Sequence, residues 1–188
     1  MPPTSEARLL ALQELRVRGL VERLDVPAPL IEELERTGLV RHRAGAAPGW
    51  SLTPAGRIEQ DRLVADELGR TGARGAVEAA YRRFLELNHG FLGLCSAWQL
   101  EPDETAATIA ALVAVHAAVR PIVDDLAGVL TRFGSYGARF DHALERVQAG
   151  DRDWFTKPLV DSYHTVWFEL HEDLLSTLGI ARGQERTA

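Results

Sequence analysis

Apolar residues recur along most of this chain with the spacing of one helical face, and only two short runs near residues 40 and 50 read as strand. Leu9, Leu10, Leu12 and Leu15 form a first helical stripe that should stop near Gly19, and residues 21–24 read as a further short helical turn. Pro27 and Pro29 reopen a helix through Leu30, Ile31 and Leu34, with Gly38 placed as its C-terminal cap. Residues 39–43 are a strand candidate, residues 44–49 a loop of small residues containing Pro48, and residues 50–52 the returning strand. Thr53 and Pro54 then open the next helix, with a hydroxyl for the N-cap and proline at the first helical position.

Beyond Arg57 the pattern is helical throughout. Helices are expected over residues 54–68 and 76–98. The second has Tyr81, Phe84, Asn88, Phe91, Cys95 and Trp98 on one face and a bend at Gly90 and Gly93. A third starts at Thr105, and Pro121 should kink or divide it. A fourth, over 136–147, aligns Tyr136, Phe140, Leu144 and Val147; residues 150–157 read as a loop carrying Trp154 and Phe155. Pro158 opens a last helix that ends at Gly179. There Asp161, Thr165, Glu169, Glu172 and Ser176 share one narrow polar stripe. The rest, from Leu159 and Val160 through Phe168 to Leu178, forms an apolar arc about 200° wide. The expected fold class is mostly α: an N-terminal winged helix-turn-helix with a small β-hairpin over residues 1–70, then a larger all-helical region over 71–188.

Composition narrows the function classes. The 188 residues are 46% hydrophobic and 26% charged, an ordinary globular balance. The net charge of −6 argues against a protein that coats nucleic acid through a general surplus of cations. That charge is unevenly spread: residues 1–60 hold eight basic and eight acidic residues, so the whole excess belongs to residues 61–188. Lys157 is the only lysine, an arginine bias expected of a GC-rich bacterial genome. Cys95 is the only cysteine, which excludes an intrachain disulfide and a cysteine-based zinc cluster. Glu6, Arg8, Glu14, Arg16, Arg18, Glu22 and Arg23 leave no apolar signal core in the first 25 residues. The longest apolar run is interrupted by His116, Arg120 and Pro121, short of the roughly 18 residues that span a bilayer. A soluble, cytoplasmic protein is expected.

The order helix, short helix, helix, hairpin, helix is that of a winged helix-turn-helix. The segment Leu34-Glu35-Arg36-Thr37-Gly38-Leu39-Val40-Arg41-His42-Arg43, followed by Trp50-Ser51-Leu52-Thr53-Pro54-Ala55-Gly56-Arg57, resembles bacterial MarR-type regulators. The resemblance covers about residues 5–70. It implies a homodimer that binds double-stranded operator DNA, with the recognition helix in the major groove and the wing near the backbone. On that reading Arg36, Arg41, His42, Arg43 and Arg57 are the DNA-binding candidates. Glu32 and Glu33, on the presumed recognition helix, oppose phosphate and favour the alternative, a winged helix that serves as a scaffold in a helical ligand- or protein-binding protein. The family usually wraps its winged helix between helices from both chain ends, and about 120 residues follow the wing here, more than the resemblance accounts for.

The helical region supplies the other candidates. His164 and His171 lie within the apolar arc of the last helix, two turns or about 10.5 Å apart, too far to chelate one small ion together. His116 lies on the apolar face of the third helix. Each reads singly as a core histidine bonded to backbone or carboxylate. Together with Tyr81, Asn88, Trp98, Tyr163 and Trp167 they also have the make-up of an apolar pocket with convergent polar groups, suited to an anionic or carbonyl-bearing effector. No phosphate loop, nucleophile elbow or metalloprotease signature is present, so no enzyme, cofactor or metal is expected. A haem or metal held by one of the histidines is the minor alternative. The resulting expectation is a homodimeric regulator whose helical part senses a small molecule and shifts the populations of two DNA-binding arrangements.

Overall fold

Gly19, Gly38 and Gly72 each take positive φ within two residues of a helix end, and these three glycines punctuate the first third of the chain. The computed structural model describes residues 5–100, 105–158 and 160–181. Its elements are α1 (Ser5–Arg18), α2 (Ala28–Arg36), β1 (Val40–Arg43), β2 (Gly49–Leu52), α3 (Pro54–Thr71), α4 (Arg74–Leu100), α5 (Thr105–Val129), α6 (Gly134–Gln148), α7 (Asp153–Thr156) and α8 (Tyr163–Leu178). A single 3-10 turn, Thr131–Phe133, precedes α6. The fold is therefore mostly helical, with one antiparallel hairpin after the early helices.

The described chain divides into two units: residues 5–72 with 172–181, and Ala73–His171. In the first, α1 is buried on most sides through Leu9, Ala11, Leu12, Gln13, Leu15 and Val17. It packs on α3 and β2, whose unit also buries Leu30, Leu34, Val40, Leu63 and Val64. The short helix expected over 21–24 does not form. Val21 instead exchanges two backbone hydrogen bonds with Trp50, at 3.0 and 2.7 Å, so its backbone is extended along the free edge of β2. The last turns of α8 belong to this unit. Gln13 Nε2 donates to Asp173 Oδ1 and Ser176 Oγ at 2.9 and 2.8 Å, and Gln60 Nε2 donates to Gln13 Oε1 at 2.6 Å.

In the second unit α5 packs between α4 and α6, and the first half of α8 carries Tyr163, Val166, Trp167 and Leu170 into its core. None of the three places expected to interrupt the helical pattern divides a helix or leaves a plain loop. α4 runs unbroken through Gly90 and Gly93, which face open space. α5 runs unbroken through Pro121, whose exposed position and exposed Ala117 one turn earlier let water take the carbonyl left without its helical donor. The expected loop over 150–157 contains the single turn of α7, with Phe155 fully buried. The last helix starts at Tyr163 rather than Pro158, because Ser162 caps it: Oγ accepts from the N–H of Thr165 at 3.3 Å. Leu159 lies outside the described residues. Continuity through Pro121 also makes α5 the one described helix long and apolar enough to cross a membrane by length and composition, with 28% of that stretch buried.

Candidate functional site

The hairpin is seated by three residues that carry little or no side chain of their own. Gly38 ends α2 with φ of +73°, and the N–H of Leu39 then reaches back to Leu34 O at 2.9 Å, closing the helix end. Thr53 Oγ1 accepts from the N–H of Gly56 at 3.0 Å and donates to Gly38 O at 2.6 Å. One threonine thus ties the start of α3 to the end of α2. Gly56 packs so closely on the strand entry that a Cβ there would lie 2.0 Å from Leu39 O. The glycines and threonine of the Leu34–Arg57 signature are therefore geometric parts, and the side chains left to act outward are its arginines.

Strand register sets where those arginines point. Val40 pairs with Leu52, Arg41 with Ser51, His42 with Trp50 and Arg43 with Gly49. Arg41 and Arg43 share one face about 6.6 Å apart, and Arg41 Nε meets Ser51 Oγ at 3.4 Å. His42 lies on the other face with its ring 4.9 Å from that of Trp50. Arg57 sits in the first turn of α3, next to Gly56 and its contact with Leu39. All four residues, and Arg36 at the end of α2, are exposed.

No aspartate or glutamate occurs from residue 36 to residue 58, a stretch that holds Arg36, Arg41, Arg43, Arg57 and His42. Among the described residues none of these four arginines has a carboxylate partner, whereas Arg8, Arg62, Arg83, Arg120, Arg139 and Arg146 all do. The carboxylates on α2 divide. Glu33 is drawn inward to Arg8 of α1, while Glu32 and Glu35 remain exposed beside Arg36. Arg62, bonded to Glu59 at 2.8 Å and also close to it in charge, holds that carboxyl below the usual carboxylate range, with Arg8 adding to the effect.

The histidines and polar-tipped aromatics of the second unit meet in one cluster. Trp167 lies 4.2 Å from Phe91 and 4.7 Å from Phe84, ring centre to ring centre, and its Nε1–H donates to Asn88 Oδ1 at 2.9 Å. Tyr163 stands 4.9 Å from Phe140 and 5.7 Å from Phe91. His164 lies over Phe91, and His171 lies against Phe84 and Tyr81. Trp98 joins through Phe155, with the Arg152 guanidinium 4.1 Å above its ring. The eight residues expected to line a pocket thus belong to one cluster, in which these rings pack directly on one another and several polar tips are met from within.

One chain of polar contacts leads out of the cluster. His116 Nε2 lies 3.2 Å from Asp141 Oδ1, so its proton sits on that nitrogen and Nδ1 is left to accept from the Tyr163 hydroxyl at 3.4 Å. Burial lowers the pKa of His116 and outweighs the nearby Asp141; Arg120 lowers it further. Burial alone lowers His164. Burial also raises the Tyr163 phenol, with Asp141 adding to it, and pushes the Cys95 thiol up to about 12, so that sulfur is an inert core group.

Sequence reasoning missed several partners. Glu169, expected on a polar stripe, is buried, and Arg139 bridges it at 2.6 Å while holding Asp161 with two bonds of 2.9 and 2.5 Å. Burial works against the Arg139 charge, but Asp161 and Glu169 outweigh it and hold its pKa above that of a free arginine. Phe168, expected inside, is 41% exposed. Asp141, Gln13 and Gln60 gave no local signal, because each acts on a residue far away in the chain. Comparison of the chain with family models, curated proteins and solved structures gives no match.

Proposed function

We propose that this chain is a cytoplasmic, DNA-binding transcriptional regulator of MarR-like type, acting as a homodimer. Its first unit contacts duplex DNA, and its helical unit responds to a small effector. The observation that carries the reading is the hairpin and its flanks: Arg36, Arg41, Arg43 and Arg57 are exposed and, among the described residues, without carboxylate partners, in a stretch free of acidic residues. Phosphate binding requires cations not already neutralised by the protein itself. The pairing of Glu33 with Arg8 withdraws one of the three carboxylates of α2, leaving Glu32 and Glu35 exposed. The effector part of the reading is supported by the clustering of His116, Tyr163, His164 and His171 with Asn88, Tyr81, Trp98 and Trp167.

Fluorescence anisotropy with labelled duplexes from the DNA upstream of the coding region tests it. At about 50 mM salt the wild type is expected to bind, and the Arg41→Ala/Arg43→Ala double variant to lose roughly tenfold or more in affinity. Absence of wild-type binding at that salt concentration rules the reading out.

A further inference from the structure

We infer that a notch between α1 and α3 binds a small zwitterion of the free α-amino acid type, with Arg8 and Ser5 holding its carboxylate and Glu59 its ammonium. The site lies wholly within the first unit and does not depend on DNA binding. Ser5 and Arg8 of α1 and Glu59, Arg62 and Leu63 of α3 line a cavity of about 290 Å³. Pockets that hold small molecules begin at about 300 Å³, and a free amino acid stands at the small end of such ligands. The walls follow from helical spacing. Ser5 and Arg8 are three residues apart on α1, and Arg62 and Leu63 follow Glu59 by three and four on α3, so each set shares one face. The packing of α1 on α3 brings the two faces together.

Charge in the notch alternates. Glu33, Arg8, Glu59, Arg62 and Asp66 form a chain in which each ion meets one of opposite sign. The pairs are unequal. Arg62 gives Glu59 two hydrogen bonds, of 2.8 and 2.9 Å, and Asp66 one of 2.6 Å. Arg8 gives Nη2 to Glu33. Its Nη1 lies 3.8 Å from Glu59 Oε1, beyond hydrogen-bond length, and has no other acceptor among the described residues. The Ser5 hydroxyl has no partner there either. A guanidinium edge beside a free hydroxyl suits a carboxylate. Glu59 keeps acceptor sites beyond the two that Arg62 uses, and Arg62 holds its carboxyl below the usual range, so it is charged at neutral pH. Each charge excludes half a ligand. An acid without an amine would face Glu59, and an amine without an acid would face Arg8. The short span from Arg8 Nη1 to Glu59 Oε1 suits two opposite charges carried on one carbon. Leu63 supplies an apolar wall for an aliphatic side chain.

Amide-resolved NMR titration of the full-length protein tests this, with L-leucine, N-acetyl-L-leucine and L-leucine methyl ester as probes up to about 20 mM, a range that covers millimolar affinities. L-leucine is expected to shift the amide signals of Ser5, Arg8, Glu59 and Leu63 saturably. The acetylated probe lacks the ammonium and the ester lacks the carboxylate, so each should bind about tenfold or more weakly, the loss of one charged hydrogen bond. Glu59→Gln should weaken L-leucine about tenfold and bring it level with N-acetyl-L-leucine. Because Glu59 also belongs to the ion chain, Ser5→Ala serves as the second variant: it disturbs no ion pair and should weaken L-leucine and N-acetyl-L-leucine alike by a few-fold. Equal affinity for L-leucine and its acetylated form makes the notch a plain anion site and overturns the inference. Equal affinity for L-leucine and the ester makes it a cation site and does the same. So does the absence of any saturable shift at the notch, or binding of L-leucine that neither variant weakens.

Discussion

A methyl group at position 56 would sit 2.0 Å from the carbonyl oxygen of Leu39, an obstacle of rigid backbone rather than a movable side chain. Gly56→Ala is therefore expected to destabilise the first unit by about 2 kcal/mol or more, seen as a lower urea midpoint, because strand and helix must part to admit it. The same substitution at Gly90 or Gly93 meets open space inside a helix and should stabilise by roughly 0.5–1 kcal/mol. Unchanged midpoints in all three variants would show that the packing described is wrong. His116 acts through protons instead of volume. Its folded pKa lies below the ordinary imidazole value of about 6.5, so the folded state binds fewer protons than the unfolded one as the pH falls. Its share of stability is complete above pH 6.5 and is lost as the pH drops below that. His164 shifts in the same direction. Protonation also takes from Nδ1 the lone pair that the Tyr163 hydroxyl uses, in a site where Tyr163 is fully buried. Thermal melts between about pH 7.5 and 5 should fall more steeply for the wild type than for His116→Gln, and equal slopes would exclude His116 as the cause.

At the level of elements, α8 carries much of the molecule's polar burial. Arg139 is the cation for both Asp161 and buried Glu169, so Arg139→Met leaves a carboxylate without its cation in the core and should cost about 3–5 kcal/mol. Arg139→Met/Glu169→Leu should recover much of that loss. If the double variant is as unstable as the sum of the singles, the pair is not coupled. The stripe itself was legible in the sequence, but its environment was not: spacing groups Glu169 with Asp161, while the arginine that makes its burial tolerable comes from another helix, 30 residues away. The punctuation of the hairpin was legible for the opposite reason. Gly38, Thr53 and Pro54 act on immediate neighbours, and their chemistry shows in the local sequence. Val21 was misread because a lone bridge has no periodicity to detect, and the short apolar run around it fits a helical turn equally well. That Pro121 does not divide α5 was not legible, because its exposure depends on which face of α5 the neighbours cover. The arginines were found from the sequence; that they lack ion-pair partners among the described residues, and that Glu33 pairs with Arg8 instead, took the structure.

Across the whole chain, net charge is a poor guide to partner. The −6 lies in residues 61–188, and the first sixty residues are neutral with their acidic residues outside the hairpin. With a screening length of about 10 Å at 0.1 M salt, a bound anion responds to the charges within that reach and not to the net charge of the chain. Affinity should therefore depend on salt as if only the hairpin cations took part. The most direct test is the salt dependence of duplex binding by the full-length protein, measured for the wild type and for Arg41→Ala, Arg43→Ala and Arg57→Ala. The account predicts a slope of log K against log salt of about −2.7 per bound protomer, reduced by about 0.9 for each arginine removed. A wild-type protein that binds no duplex at low salt, or a slope that none of the three substitutions changes, would contradict it.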